Sequence, residues 1–552
     1  MFKAAIAEEL TTILQEQMRY DEVYNLIERP ANANHGDYAF PTFRLAKIYK
    51  QPPQVIAENL KGDFTHPYVS HVEVVNGFLN FFLDKDKSGQ QIVEYLLQGD
   101  ANSTQLLKDE TFVIDYSSPN IAKPFSMGHL RATVVGDSLA RIFEANGAEV
   151  VRINHLGDWG TQFGKLIVAY QKWGDAQTVE KNPIIELFHL YTKFHEVSET
   201  EPTLEDEARE AFKALENGDS EYLALWQWFR DVSLEAFNHL YEQLGIQFDA
   251  IQGESFYNDK LDNTVKLLAD KKLIKQDEGA TIVEMKDLPP ALIKKRDGAS
   301  LYMTRDLAAV LYRQKTYQPT RIFYVVGQEQ TVHFQQLRQL SQLLQLNLSI
   351  EHIPFGLILK DGKKMSTRQG KVVLLEDMLA EVEAAVYETL TEKNSNIEDK
   401  QATAKQIAIA SVKFQDLKHD RTNSYDLNIN EMLSFEGDTA LYVMYTYARI
   451  QSILRKSVHG MTGAFQFDET MWSILNHLKA YEEVLEVAAT HYTPSSICRY
   501  VLQLCRLFNN YYGVTRILNS TNEQSKVTLL HLVADKIEVA MALLGISLVE
   551  EI

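Results

Sequence analysis

The hydrophobic positions of this chain switch rhythm several times. Residues 3–29 carry apolar side chains at helical spacing, and a His35-Gly36-Asp37-Tyr38 turn follows. Residues 41–50 and 53–61 are again helical, the second stretch opened by Pro52-Pro53. From His71 to Leu83 the pattern alternates through Val72, Val74, Val75, Phe78, Leu79 and Phe81, with a bend at Asn76-Gly77, which predicts a hairpin. A helix and a polar linker in the 88–104 region close an α+β unit over residues 1–108.

Residues 111–154 read as strand, helix, strand. Thr111 to Tyr116 is a buried strand, Leu130, Val134, Val135, Leu139, Ile142 and Phe143 fall at helical spacing, Asn146-Gly147 ends the helix, and Val150 to Ile153 is a second strand. A crossover of this length implies a parallel, right-handed unit in an open α/β sheet, with ligands at the carboxyl ends of the strands. Residues 165–260 are helix-rich and acidic and read as an insertion. Short strands are expected at 280–286 and 300–304, a buried strand from Arg321 to Val326, a helix from Thr331 to Leu344, and a strand from Phe355 to Leu359. A basic stretch from Lys360 to Lys371 follows, and from Glu376 the pattern is almost wholly helical. A polar break at Lys393 to Asp399 separates an α/β domain at 109–395 from a helical bundle at 396–552. There is no internal repeat.

Composition narrows the class. A chain of 552 residues with 45% hydrophobic and 24% charged residues is globular and multidomain. Only Cys498 and Cys505 are present, too few for a disulfide framework or a four-cysteine zinc site. A reducing compartment, hence a cytoplasmic location without structural zinc or other bound metal, is expected. The first residues carry acids and no long apolar run, unlike a signal peptide, and no stretch has the roughly 18 apolar residues of a membrane helix. The net charge of −20 argues against indiscriminate nucleic-acid binding but leaves room for a local RNA surface, because phosphates respond to the field within about a Debye length.

The chemistry concentrates at residues 117–131, Ser-Ser-Pro-Asn-Ile-Ala-Lys-Pro-Phe-Ser-Met-Gly-His-Leu-Arg. A helix starts here, and its unpaired N–H groups and positive dipole end collect phosphates. Far downstream lies Lys364-Met365-Ser366-Thr367-Arg368. In this order, on the two halves of an α/β sheet, Ser126-Met127-Gly128-His129 and Lys364-Met365-Ser366-Thr367 resemble the paired signatures of class I aminoacyl-tRNA synthetases. Ser117 to Pro124, His155 to Gly164, Tyr302-Met303-Thr304-Arg305-Asp306, and Tyr324 to Gly327 with Gln330, His333 and Gln336 narrow the resemblance to bacterial-type arginyl-tRNA synthetases. It spans essentially the whole chain. Two positions depart from the pattern: Ser126 stands where the first signature has histidine, and Thr367 where the second has its last lysine. Either Lys123 or Arg368 is placed to supply the missing positive charge.

The resemblance implies a Rossmann-like catalytic domain flanked by an N-terminal added domain and an α-helical anticodon-binding domain. It implies ATP, with Mg²⁺, as a substrate, L-arginine and tRNA(Arg) as partners, and a monomer. It assigns catalysis to Lys123, Ser126, Gly128, His129, Lys364 and Ser366, with ATP held by Ser126, Gly128, His129, Lys364, Met365 and Ser366. Arginine would be held by Asp115, Ser117, Asn120, Tyr302, Asp306 and Gln330; Tyr302 and Asp306, four apart, share a face if helical. A guanidinium needs carboxylates and neutral acceptors, which these positions supply. For tRNA the implied contacts are Tyr38 and Phe40 at the elbow and Tyr447, Arg449, Tyr511 and Arg516 at the anticodon end. Two other readings stay open at this stage: a synthetase-like protein that binds tRNA or amino acid without catalysis, and a class I synthetase for another amino acid.

Asp306→Asn tests the arginine assignment. The arginine requirement should rise by about tenfold or more, in line with the loss of a charge-assisted contact, while the ATP requirement stays near wild type. Equal changes in the two KM values would contradict the assignment.

Overall fold

The computed structural model describes residues 1–552 except 16, 31, 100, 101, 297–300, 361, 365–373, 394–396 and 463–464. The chain forms two compact units, each assembled from separated segments. One comprises Met1–Ala101, Lys456–Ala480 and Leu507–Val533, and the other Asn102–Arg455, Tyr481–Arg506 and Ala534–Ile552.

The first unit contains an antiparallel sheet in the order Tyr38–Pro41, Phe78–Leu83, Val69–Val75. The predicted hairpin is present, its turn made by Asn76 at φ 52° and Gly77 at φ 81°, both left-handed as a tight hairpin turn requires. Residues 3–29 form two helices, Phe2–Ile13 and Tyr20–Leu26, because Gln15 adopts φ 46° and stops the first.

The second unit is built on a five-stranded parallel sheet. Its strands are β1 (Thr111–Asp115), β2 (Glu149–Asn154), β3 (Ala250–Ile251), β4 (Arg321–Gly327) and β5 (Ser349–Phe355), in the spatial order β5-β4-β1-β2-β3. The chain winds from β1 to one side, then returns to place β4 on the other. The switch point is therefore the gap between β1 and β4, where an open sheet leaves a crevice at its carboxyl edge. Asp115 at the end of β1 is in register with Tyr324 on one side and Ile153 on the other.

Helix α1 (Met127–Ala145) covers one face of the sheet, where Phe143 packs edge-on against Phe112 with ring centres 5.1 Å apart. Helices α3 (Tyr302–Tyr317) and α4 (Thr331–Leu343) cover the other. There Met303, Leu307, Val310, Phe334, Leu337 and Leu340 join Val113, Ile153, Ile322 and Ile350 in one core. The alternation of Phe112 and Val113 between faces is what a strand covered on both sides requires. The insertion is helical, as expected, and ends in α2 (Ser220–Leu244).

Two local expectations need correction. Of the strand expected at 300–304, residue 300 lies outside the described residues and residues 302–304 are helical. Met303, Leu307 and Val310 lie at helical spacing and bury one face of α3, while a neighbouring strand sits at Ala291–Lys294. The strand expected at 355–359 begins earlier, as β5, and a separate short strand, β6, runs Ile358–Lys360. β5 is an edge strand, so it tolerates Glu351, His352 and Pro354, which hid its period.

Helix α1 approaches the end of β1 so closely at Gly136 that an added methyl would lie 2.3 Å from Tyr116 Cβ. Tyr116 is fully buried and cannot swing away. Gly136→Ala should therefore destabilise the protein by about 1–3 kcal/mol, overpacking outweighing the roughly 0.5–1 kcal/mol gained from helix propensity. The midpoint of urea unfolding measures it, and a raised midpoint would refute the close contact.

Candidate active site

The carboxyl end of β1 is held by a buried ion pair. Arg313 Nη2, on α3, donates to Asp115 Oδ2 at 2.7 Å, and the two side chains are 0% and 6% exposed. Ser118 Oγ donates to the other carboxylate oxygen at 2.9 Å. Asp115 is expected among the arginine-binding residues; in the structure the guanidinium beside it is that of Arg313. Ser117, Ser118 and Ala122 adopt φ of 69°, 48° and 58°. Three non-glycine residues in the left-handed region within one short loop mark stored strain of about 1 kcal/mol or more each. Ser117 is buried, its hydroxyl 2.8 Å from Tyr241 OH and 2.8 Å from Thr133 Oγ1. Asn120 forms a bridge with Gly157. A methyl at Gly157 would meet Asn120 Oδ1 at 2.0 Å, so glycine is what lets the two loops close on each other.

Helix α1 opens at Ser126, which caps it. The Ser126 backbone N–H donates to His129 Nδ1 at 3.1 Å, and Ser126 Oγ lies 3.1 Å from the same nitrogen. Nδ1 is therefore an acceptor, and the ring proton sits on Nε2. Burial, helped by the nearby charge of Lys123, pushes the His129 pKa down to about 4, so the ring is neutral at physiological pH. Gly128 is exposed in the first turn. Burial also lowers the Lys123 pKa, and its ammonium lies 5.7 Å from the Tyr191 ring centre. The arrangement pairs a neutral hydrogen-bond donor and a cation with a helix N-terminus, the parts of an anion site.

Lys364 opens the second signature. β6 pairs antiparallel with β7 (Lys363–Lys364), and Lys364 is in register with Leu359. Met365 and Ser366 lie outside the described residues, as do Thr367 and Arg368. The chain re-enters at Leu374, which bridges Ser126, and the Leu375 N–H donates to the Phe125 carbonyl at 3.1 Å. The described residues on either side of 365–373 are thus tied, on one side to β6 and on the other to the cap of α1.

Helix α3 carries an acidic cluster. Tyr302 and Asp306 are one turn apart on α3, as their spacing predicted. His333 Nε2 on α4 lies 2.5 Å from Asp306 Oδ2. Burial would raise the Asp306 pKa, but the His333 hydrogen bond and the charges of His333, His155 and Arg313 outweigh it and hold it low. Gln330 caps α4 and is exposed. Sequence reading missed Glu254. Burial pushes its carboxyl up to about 8, opposed by Arg305 and reinforced by Asp306 and Asp158. Asp158, fully buried, positions it: its carboxylate accepts from the Ser255 N–H and Ser255 Oγ, both at 2.8 Å, and from Arg230 Nε at 3.1 Å. The available signal was Gly253 before Glu254, since any side chain at 253 would strike Asp158 at 2.4 Å.

The residues expected to meet RNA divide by burial. Phe40 is fully buried and Tyr38 is 3% exposed. Tyr447 and Tyr511 are 6% and 4% exposed. These four rings pack cores and present no stacking face, which corrects the expectation for them. Arg449 is partly exposed, stacked 4.8 Å over the Tyr445 ring, and Arg516 is exposed. Tyr445 and Tyr512, each 39% exposed, are the aromatics at the surface near them in sequence.

Comparison with known proteins agrees with this geometry. The family described as tRNA synthetases class I (R), catalytic domain, matches residues 91–429. The DALR anticodon binding domain matches 443–552, and the arginyl tRNA synthetase N terminal domain matches 1–83. The arginine–tRNA ligase of Exiguobacterium sibiricum is 44% identical, with 100% of each chain covered. That of Streptococcus mutans is 45% identical, with 98% of each covered. Among solved structures, Thermus thermophilus arginyl-tRNA synthetase has a TM-score of 0.82 at 23% identity over 100% of both chains, and the Plasmodium falciparum enzyme 0.83 at 23%, covering 100% of this chain and 98% of the other. The chain belongs to the class I arginyl-tRNA synthetase family.

Proposed function

We propose that the crevice between β1 and β4 joins L-arginine to ATP and then passes the arginyl group to the 3′ end of tRNA(Arg). The observation that supports this reading is the Leu374–Ser126 bridge, which brings the chain that follows the second signature to the cap of α1.

The carboxylate of arginine is already a nucleophile at neutral pH, so no general base is needed. It attacks the α-phosphorus of ATP, pyrophosphate leaves, and arginyl-adenylate forms. The protein's task is to align the reactants and stabilise the growing negative charge. His129 donates from Nε2 without carrying charge, and the N–H groups of the first turn of α1, including Gly128, receive the phosphates. Ser126 acts by holding the His129 tautomer, a role a hydroxyl fills without the missing histidine. Lys123 supplies positive charge beside them, and Lys364, Met365 and Ser366 take the nucleotide from the opposite side. ATP enters as its Mg²⁺ complex.

Asp306 and Glu254 receive the guanidinium, with Tyr302 and Gln330 at the rim and Asn120 toward the α-groups. Asp115 and Ser117 act as scaffold, since their polar atoms are bonded within the protein. Two carboxyls facing one another cannot both ionise cheaply without a cation between them. Arginine provides that cation. Citrulline lacks the charge, and lysine leaves acceptors unpaired.

Purified enzyme supplied with tRNA(Arg), ATP and labelled amino acids should charge arginine, with lysine and citrulline slower by at least about a hundredfold. Failure to charge arginine would overturn the proposal. The Glu254 pKa also sets a pH dependence. Below about pH 8 the empty site holds a neutral Glu254, and arginine binding must expel its proton. Arginine affinity should therefore rise between about pH 6.5 and 8, by up to about tenfold per pH unit, and Glu254→Gln should flatten the profile. Calorimetric titration of arginine at several pH values measures this, and a wild-type affinity independent of pH would exclude Glu254 from the guanidinium site.

A further inference from the structure

Helix α1 faces α6 (Lys400–Leu417, with α5 being Leu375–Lys393) across a buried interface whose charges are crossed. Along α1 a cation, Arg131, precedes an anion, Asp137. Along α6 a cation, Lys413, precedes an anion, Asp416. Arg131 Nε lies 3.4 Å from Asp416 Oδ1, with exposures of 1% and 0%. Tyr425 OH donates to the same Asp416 oxygen at 3.0 Å. One and a half turns further along α1, Asp137 shares its surroundings with Lys413. A methyl placed on Gly545 would meet Asp137 Oδ2 at 2.6 Å and Lys413 Nζ at 2.8 Å.

The Lys413 ammonium is fully buried and collects the ends of other elements. It donates to the Leu244 carbonyl at the end of α2 at 2.8 Å, and to the Gly545 carbonyl at 2.5 Å. Gly545 lies in the turn after the last helix (Glu523–Leu543), and Ser138 Oγ on α1 donates to the Leu543 carbonyl of the same turn at 2.9 Å. Arg141 Nε pairs with Asp137 Oδ2 at 2.9 Å, and Arg141 Nη2 donates to the Gly245 carbonyl at 3.2 Å. Carbonyls at helix ends carry partial negative charge and lack intrahelical partners, so an ammonium suits the place where two helices end.

We propose that the crossed pairs set the register of α1, and that Lys413 is a positioning residue which ties the C-terminal turn at Gly545 to the phosphate-binding start of α1. Sliding α1 along α6 one way brings Arg131 toward Lys413, and sliding it the other way brings Asp137 toward Asp416, a like-charge contact in a dry interface in either direction, so one register is selected. His129 stands eight residues before Asp137, about 12 Å along the same rigid helix. Any shift at Lys413 is carried to the His129 donor, where misplacement by about 1 Å costs a hundredfold in rate. The arginine side chain is untouched, because Asp306 and Glu254 belong to other elements. The inference rests on the proposed reaction at α1.

The test measures arginine-dependent ATP–pyrophosphate exchange with tRNA present, on full-length wild type, Lys413→Met and Gly545→Ala, alongside thermal melting. Both variants should lower kcat by about tenfold or more, with the KM for arginine within about twofold of wild type. Because Lys413→Met removes a buried charge beside Asp137 and leaves the Leu244 and Gly545 carbonyls without its donor, which threatens folding, Asp137→Asn/Lys413→Met is made in parallel. Removing both charges should restore the melting temperature toward wild type while kcat stays low. Recovery of kcat in the double variant, unchanged kcat in well-folded single variants, or arginine KM rising as much as kcat falls would each overturn the positioning role. Absence of exchange in the wild type would instead overturn the proposed reaction, and this inference with it.

Discussion

A guanidinium and a carboxylate, both out of water, hold the two sides of the crevice together. Arg313 reaches from α3 to Asp115 at the end of β1, at the point where the sheet changes winding direction. Removing one partner from such a pair costs about 3–5 kcal/mol, because the other charge is then left buried and alone. The pair fixes α3 against β1, and α3 carries Tyr302 and Asp306 two to three turns before Arg313. The strained loop after β1, with Ser117, Ser118 and Asn120, begins at the partner of that same bond. The pair thus ties the α3 residues proposed to receive arginine to the loop leading to α1.

Two opposite electrostatic environments then share one crevice. At the start of α1, burial keeps His129 neutral, and Ser126 fixes which nitrogen donates. Across from it, burial keeps Glu254 protonated near neutrality while histidine and arginine contacts keep Asp306 ionised. An anion is attracted to one side and a cation to the other. On the proposed reading, arginine spans the site in one orientation, with its guanidinium remote from the phosphates and its carboxylate near them. Desolvation strengthens both attractions, since charges interact more strongly where water is excluded.

The sheet, the α1 crossover and the helical end domain were legible in the chain because each is buried on a regular period. Val113, Ile153 and Ile322 mark strands, and Leu130 to Phe143 mark a helix, whatever the sequence does elsewhere. Legibility failed where burial was one-sided or local. β5 is an edge strand with a polar face, and the start of α3 presents too few turns to declare its period. In the site, Asp306, Tyr302 and His129 stood out through the resemblance of their motifs to those of the family. Asp115 was read for its chemistry and not its partner, because Arg313 lies 198 residues away and its pairing is a property of the fold. Glu254 was missed for a similar reason, since Gly253 is a faint mark and the raised pKa follows from burial, reinforced by Asp306 and Asp158, which only folding brings about. Aromatics such as Phe40 and Tyr511 carry no sequence mark that separates a core ring from a base-stacking one.

The central claim is that guanidinium and phosphate bind at opposite ends of one crevice. A crystal structure with a non-hydrolysable arginyl-adenylate analogue tests it most directly. The account predicts the guanidinium within hydrogen-bond distance, about 2.7–3.2 Å, of the Asp306 and Glu254 carboxylates, and the phosphate mimic at the first turn of α1 beside His129 Nε2. A guanidinium bound away from both carboxylates, or a phosphate mimic away from α1, would contradict it.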